Sequence, residues 1–261
     1  MNFLVSKIKL FFTSSETGYY CPVCDQEDIH FIPLNEFYRE NAEQHGYELF
    51  GMGEMTALAT YECSECGASD RERIYTYWIE DALRTGRLGT QSKIIHFAPE
   101  AILSAKMKTL GLSHYSTADL MMDHVDFNVD LMQLAFEDHS FDFFICSHVL
   151  EHVESDDRAI QELYRILKPG GCGILMAPVN LGLESTVEDP AITTEAGRWK
   201  HFGQGDHVRL YAHDDYVKKI GKYGFKVLEL GEEYFGSELF RQLGLKPTSI
   251  LYIVEKDDTC N

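Results

Sequence analysis

The chain has 261 residues, 44% of them hydrophobic and 25% charged, with a formal net charge of −19. That length suits one large domain or a domain with a small module, and the composition is that of an ordinary globular protein. So acidic a chain is a poor partner for a phosphate backbone, which calls for clustered Lys and Arg, and no apolar run reaches the ~20 residues that span a bilayer.

Residues 1–12, MNFLVSKIKLFF, are apolar with two lysines and lack the small-residue cleavage site of a signal peptide. They read as a short helix packed on the domain, or as a weak peripheral attachment to a membrane or partner. Residues 1–18 form this N-terminal segment. Residues 19–67 then carry two CxxC pairs, Cys21 with Cys24 and Cys63 with Cys66. Each pair turns two thiolates toward one ion, and four thiolates complete a closed tetrahedral Zn²⁺ site of the structural kind. A redox CxxC is the competing reading. Cys146, Cys172 and Cys260 are scattered, the first two in or beside apolar strands. Such usage suits a reducing cytoplasm and a metal site rather than a disulfide framework. The long stretch between the pairs, with Phe31, Ile32, Phe37, Tyr38 and Phe50, wraps back over the site. Residues 68–88 read as a helix capped by Ser69 or Asp70, and Gly86 and Gly89 mark a joint. The expected division is a zinc-ribbon module with its linking helix at 19–90 and the main domain at 91–261.

Lys93 to Phe97 reads as the first strand of that domain, followed by the turn Ala98-Pro99-Glu100 and a helix from Ala101 whose first amides are free. His114 to Ala118 is the second strand. Asp119 at its end lies about 20 positions on, where a carboxylate can accept ribose hydroxyls. Val125 to Asn128 is a short third strand. Phe141 to Cys146 is an apolar run of buried-strand length, followed by the polar residues Ser147, His148, Glu151 and His152. Asp156 to Leu167 carries one apolar stripe and reads as a helix stopped at Pro169-Gly170-Gly171, and Gly173 to Val179 is the next strand. Strand, polar turn, helix, strand is one unit of a parallel α/β sheet, whose ligands sit at the strands' carboxyl ends. Residues 180–206 are long and polar, as binding loops and lids are. His201, His207, Arg209 and Tyr211 follow within ten residues of one another. Asp214 to Tyr223 reads as a helix, and Lys226 to Leu230 and Ser249 to Glu255 as the last strands.

The ordered, gap-free wording of Phe141 to Gly171, with SHVLEHV and LKPGG, resembles the class I S-adenosylmethionine-dependent methyltransferases of the type 11-like branch. The resemblance implies a Rossmann-like seven-stranded sheet with helices on both faces. It also departs from the family: an acidic residue and GxGxG usually follow the first strand, whereas this chain has His96-Phe97-Ala98-Pro99-Glu100. One reading is a dead cofactor site; the other is a variant turn in which Glu100 serves the cofactor ammonium. By resemblance, Phe97, Ala98, Pro99, Glu100, Asp119 and Leu120 hold the methionine and ribose parts. Asp130 receives the adenine amino group, Leu131 packs on the ring, and Ser147 and His148 lie at the methionine end. His148 and His207 are the candidate bases, and His201, Arg209 and Tyr211 the candidate substrate contacts, with Arg209 suited to a carboxylate or phosphate. The implied activity is methyl transfer to a small molecule, such as an oxygen of a sugar or related metabolite, in the cytoplasm. Another use of the same cofactor, or a non-catalytic zinc-ribbon scaffold, is the alternative.

Overall fold

The computed structural model describes residues 18–257. The expectations for residues 1–12 and for Cys260 lie outside the described residues. The N-terminal part begins with β1 (Tyr20–Cys21) and β2 (Gln26–Glu27), an antiparallel pair. Next come β3 (Phe31–Ile32), α1 (Glu36–His45) and β4 (Glu62–Cys63), with β4 antiparallel to β3. α2 (Asp70–Thr85) starts on a full capping box, Ser69 with Glu72, and ends at Gly86 in the left-handed conformation (φ 78°) that glycine adopts without strain. Ile74, Tyr75, Trp78, Ile79 and Ala82 on this helix are buried in the same apolar cluster as the main sheet. Sequence spacing puts α2 with the cysteine module; its apolar face packs with the sheet.

One α2 residue ties the module to the far end of the chain. The fully buried Arg73 guanidinium donates to the carbonyls of Thr60, Tyr61, Ala68 and Leu243 at 2.6–3.0 Å and lies 3.8 Å from the centre of the Phe31 ring. Four charge-assisted bonds to backbone leave this buried cation well satisfied.

The main domain follows in order: β5 (Lys93–Phe97), α3 (Ala101–Thr109), β6 (His114–Asp119), β7 (Phe127–Asn128), β8 (Phe141–Ser147), α4 (Asp156–Ile166) and β9 (Leu167–Met176). Then come β10 (Val187–Glu188), α5 (Glu195–Phe202), β11 (Arg209–Leu210), α6 (His213–Lys222), β12 (Lys226–Leu230), α7 (Glu232–Phe235), α8 (Ser237–Gln242) and β13 (Leu251–Glu255). Seven of these strands form one sheet in the order β12-β13-β9-β8-β5-β6-β7. β5 to β9 run parallel within it, and β13 is antiparallel to both of its neighbours. This is the seven-stranded Rossmann-like sheet expected from the sequence.

The apolar run Phe143 to Cys146 is wholly buried at its centre, which is why it alternates with nothing polar. Gly173 on β9 faces Phe144, whose ring atoms lie 2.5–2.6 Å from where a Cβ would stand. β9 starts earlier than expected, at Leu167 directly after α4, because Leu167 is already extended (φ −75°, ψ 134°). Pro169-Gly170-Gly171 therefore shapes an irregular strand start rather than a loop. Chain order reverses about β5 and β8, β6 and β7 lying to one side and β9 to the other. That reversal makes the carboxyl ends of these strands the expected crevice.

Candidate functional site

The four cysteines converge. Cys21 Sγ is 3.8 Å from Cys66 Sγ, Cys24 Sγ is 3.9 Å from Cys63 Sγ, and all four sulfurs lie within 4.8 Å of one another. A tetrahedron with metal–sulfur bonds of about 2.3 Å has edges of about 3.8 Å, so the spacing fits a closed four-thiolate site. Left-handed turns at Asp25 (φ 57°) and Gly67 (φ 77°) follow each pair and bend the backbone around the sulfurs. Burial pushes the Cys21, Cys24 and Cys66 thiols up, Cys66 to about 12. Burial also opposes ionisation of Cys63, but the Cys66 and Glu65 amides hold it below its ordinary value. Four thiolates here call for a cation.

At the sheet edge, register puts Phe97 opposite both Ala118 and Cys146, and Asp119 opposite Asn128. The ends of β5, β6, β7 and β8 are therefore level. The turn after β5 makes the shape that glycine usually makes: Ala98 has φ 45°, and its amide donates to Ala118 O at 2.8 Å. Glu100 precedes α3 at its N-cap position, with its side chain turned to His96 and Arg71 and away from the helix amides. Its Oε2 meets His96 Nε2 at 2.9 Å, and its Oε1, which accepts no hydrogen bond, lies 3.7 Å from Arg71 Nε, also without a hydrogen-bond partner. Burial would raise the Glu100 carboxyl, but His96 first and then Arg71 hold it down at about 2. Asp119 Oδ1 accepts the amides of Met121 and Met122 at 2.6 and 2.8 Å, and Asp130 Oδ1 accepts that of Met132 at 2.8 Å. Leu120 is exposed, and Leu131 is buried. Ser147 departs from expectation: it is buried and hydrogen-bonds Tyr75 Oη at 3.2 Å, inside the core rather than facing a ligand.

Beside this edge lies a cleft of about 320 Å³. It is lined by Tyr38, Tyr47, Tyr61 and Arg71 from the N-terminal part and by His148, Glu151, His152, Asn180, Gln204 and His207 from the main domain. His148 directly follows β8 in a left-handed conformation (φ 56°), with its amide on Met176 O, a backbone state that non-glycine residues adopt at a cost and often at functional sites. Its Nδ1 is 3.2 Å from Glu151 Oε1. His152 Nε2 is 3.8 Å from the same oxygen, and the His152 and His207 rings meet edge to face at 4.8 Å. Burial would raise the Glu151 carboxyl, but His148, His207 and His152 around it keep it below its ordinary value. Burial lowers the His207 imidazole.

Three expected substrate contacts do not reach this cleft as ligands. Arg209 is fully buried, and its guanidinium donates to Leu150 O, Val153 O, Glu154 O and Glu188 Oε1, with Asp156 3.5 Å away. Tyr211 is buried and donates to Asp156 Oδ2 at 2.7 Å. His201 is exposed in the last turn of α5 and does not line the cleft. Arg209 and Tyr211 instead brace the loop after β8. Sequence reasoning missed Arg71 and the tyrosines of the module. The usable signal was Arg71 and Arg73 two apart at the start of α2, a spacing that puts them on different helix faces: Arg73 faces the module backbone, and Arg71 faces the cleft.

Residues 86–175 match the family model described as a methyltransferase domain. No curated protein sequence matches the chain. Among solved structures, the chain is similar to the YcgJ protein from Bacillus subtilis, with 13% identity, 69% of this chain and 99% of that one covered, and a TM-score of 0.45. It is similar to the [4+2]-cyclase SpnF, with 14% identity, 88% and 100% covered, and a TM-score of 0.49. It is also similar to the CurJ carbon methyltransferase, with 16% identity, 71% and 54% covered, and a TM-score of 0.47. β5, α3, β6, β7, β8 and α4, together with most of β9, thus form a stretch with the sequence character of a methyltransferase domain.

Proposed function

We propose that the protein is an S-adenosylmethionine-dependent methyltransferase acting on a small polar acceptor. The observation that carries this reading is the level edge of β5, β6 and β8, with a glycine-like turn at Ala98, opening beside a walled cleft. Asp119 takes the ribose hydroxyls and Asp130 the adenine amino group, each through the oxygen that its own amide bonds leave over. Glu100 Oε1, buried and without a hydrogen bond, takes the cofactor ammonium, and Arg71 beside it takes the cofactor carboxylate. The Cys21, Cys24, Cys63 and Cys66 set holds a structural Zn²⁺ that fixes the module forming one cleft wall, as suits a reducing compartment such as the cytoplasm.

Methyl transfer from a sulfonium is an in-line displacement with a good leaving group, so the protein's work is to align the acceptor and exclude water. Tyr38, Tyr47 and Gln204 offer hydroxyls and an amide suited to an acceptor rich in hydroxyls, such as a sugar or related metabolite. His148, at the carboxyl end of β8, is placed to take the acceptor proton. Calorimetry with S-adenosylmethionine and S-adenosylhomocysteine tests the reading. Micromolar binding, abolished by Asp119→Ala and weakened about tenfold by Glu100→Gln, is expected. No binding to the zinc-loaded protein would leave a zinc-ribbon scaffold in its place.

A further inference from the structure

We infer that Glu151, His152 and His207 form a second metal site, for a divalent transition ion with nitrogen and oxygen ligands, on the wall of the acceptor cleft. One carboxylate oxygen and one nitrogen from each imidazole lie within 4.8 Å of one another. Ligands about 2.1 Å from a shared ion sit about 3.0–3.5 Å apart, so small side-chain rotations close the set. Two imidazoles and a carboxylate suit Zn²⁺, Fe²⁺ or Mn²⁺ and leave open positions.

Two independent observations point to a cation. Glu151 is fully buried, yet neither of its carboxylate oxygens accepts a hydrogen bond. The nearest groups to it are His148 Nδ1 at 3.2 Å and His152 Nε2 at 3.8 Å from Oε1, so a buried carboxylate is left without a well-formed hydrogen bond, which is costly, and an ion among these neighbours removes the cost. His207 Nδ1 lies 3.3 Å from Phe202 O. Donation to that carbonyl puts the proton on Nδ1 and leaves the Nε2 lone pair for a ligand bond, the outer-shell arrangement that metal-binding histidines use. The backbone is held for the purpose as well. Val208 N donates to Glu151 O at 2.9 Å, and Arg209 grips the carbonyls of Leu150, Val153 and Glu154, so the two ligand segments are fastened together. Arg209 is thus a positioning residue.

The role of the ion rests on the methyltransferase reading. Its open position takes the acceptor's hydroxyl oxygen and lowers that hydroxyl's pKa. The proton passes to His148, the oxygen attacks the methyl carbon, and the carbon–sulfur bond breaks to leave a neutral thioether.

The test is Mn²⁺ titrated into protein holding one zinc per chain, with free Mn²⁺ followed by electron paramagnetic resonance. Mn²⁺ avoids a four-thiolate site, so it reports on the second site alone. About one Mn²⁺ per chain is expected, with affinity falling about 100-fold or more in Glu151→Gln and in His152→Asn. Glu151→Gln keeps the side-chain volume and gives up the 3.2 Å pairing with His148, and the His152 side chain is 35% exposed; circular dichroism of both variants checks that the fold is kept. Mn²⁺ should raise the melting temperature of the parent but not of Glu151→Gln. Absence of Mn²⁺ binding, or binding indifferent to both substitutions, overturns the site and makes Glu151 the counter-ion of His148. S-adenosylmethionine binding measured on the same samples separates the two readings: its loss with Mn²⁺ binding intact removes only the methyl-transfer role.

Discussion

Arg209→Lys separates a brace from a substrate contact. The guanidinium makes bonds of 2.5 and 2.6 Å to Leu150 O and Val153 O, 3.0 Å to Glu154 O, and 2.7 and 3.2 Å to Glu188 Oε1, with 1% of the side chain exposed. A lysine keeps the charge but not the fork, so it cannot reach three carbonyls and a carboxylate at once. Hydrogen bonds to a charged group contribute roughly 1.5–3 kcal/mol each, and a buried acceptor left unpaired costs roughly 1–3 kcal/mol. The losses are not additive, because the ammonium recovers one or two partners. A net loss of about 3–5 kcal/mol is the expected size, in the range seen when a buried ion pair loses a partner. In urea unfolding followed by circular dichroism, the midpoint should fall with little change in slope. Mn²⁺ binding should weaken in the same variant, since the loop carrying Glu151 and His152 loses its clamp. A variant within about 1 kcal/mol of the parent would refute the brace.

Three further outcomes follow from the same geometry. Ala98 holds φ 45°, where an L-residue is strained by roughly 1–2 kcal/mol; Ala98→Gly should therefore be neutral or stabilising by about 0.5–1 kcal/mol in thermal melts, with cofactor affinity retained, and clear destabilisation would deny the glycine-like turn. Glu100 is held at about 2 against an ordinary value near 4.3. A carboxyl whose folded pKa is depressed adds stability that is complete above the unfolded value and is lost as pH falls through the folded one. The contribution is about 3 kcal/mol, lost between about pH 4.5 and pH 2. Glu100→Gln should flatten that part of the stability profile, and an unchanged profile would argue against the His96 and Arg71 pairing. Chelation of the cysteine-bound metal should open residues 19–67 first in hydrogen exchange, since their own apolar cluster is small; uniform exchange across the chain would contradict a structural metal.

The sheet was legible because its strands are short apolar runs bounded by turn residues, and the stripe at Ala159, Ile160 and Leu163 gave α4 directly. α1 and α5 were not, because neither carries a clear apolar period: among the described residues α1 buries only Ala42, and α5 only Trp199 and Phe202. They are held by tertiary contacts, His45 stacking on Trp199 and Phe37 meeting the same ring edge to face. The CxxC pairs announced their convergence through spacing. Arg209 misled because its side-chain chemistry suits an anion equally well in a cleft or in a core, and only burial tells the two apart. Ser147 misled for the reverse reason: at a strand's end, one residue decides whether a hydroxyl faces the crevice or the core, and Tyr75 from α2 captures it.

The two halves of the site rest on different parts of the chain. Under the proposed function the cofactor half is the sheet edge itself, level because parallel strands in register end together. The proposed acceptor half is built from segments that are fastened in place by buried guanidinium groups. One is the stretch between the cysteine pairs, which includes α1 and is fixed by cysteines at both ends and by Arg73 at Thr60 and Tyr61. The second is the 150–154 loop, fixed by Arg209 and Val208. Each is fastened by one buried guanidinium bonded to at least three backbone carbonyls, and each brings residues to the cleft: Tyr61 in the first, beside Arg71 from the start of α2, and Glu151 and His152 in the second. Under the proposed function, acceptor specificity would change through these loops while the sheet and the proposed cofactor contacts stay as they are. The proposed acceptor contacts lie on the cleft walls, of which the matched segment 86–175 supplies only His148, Glu151 and His152.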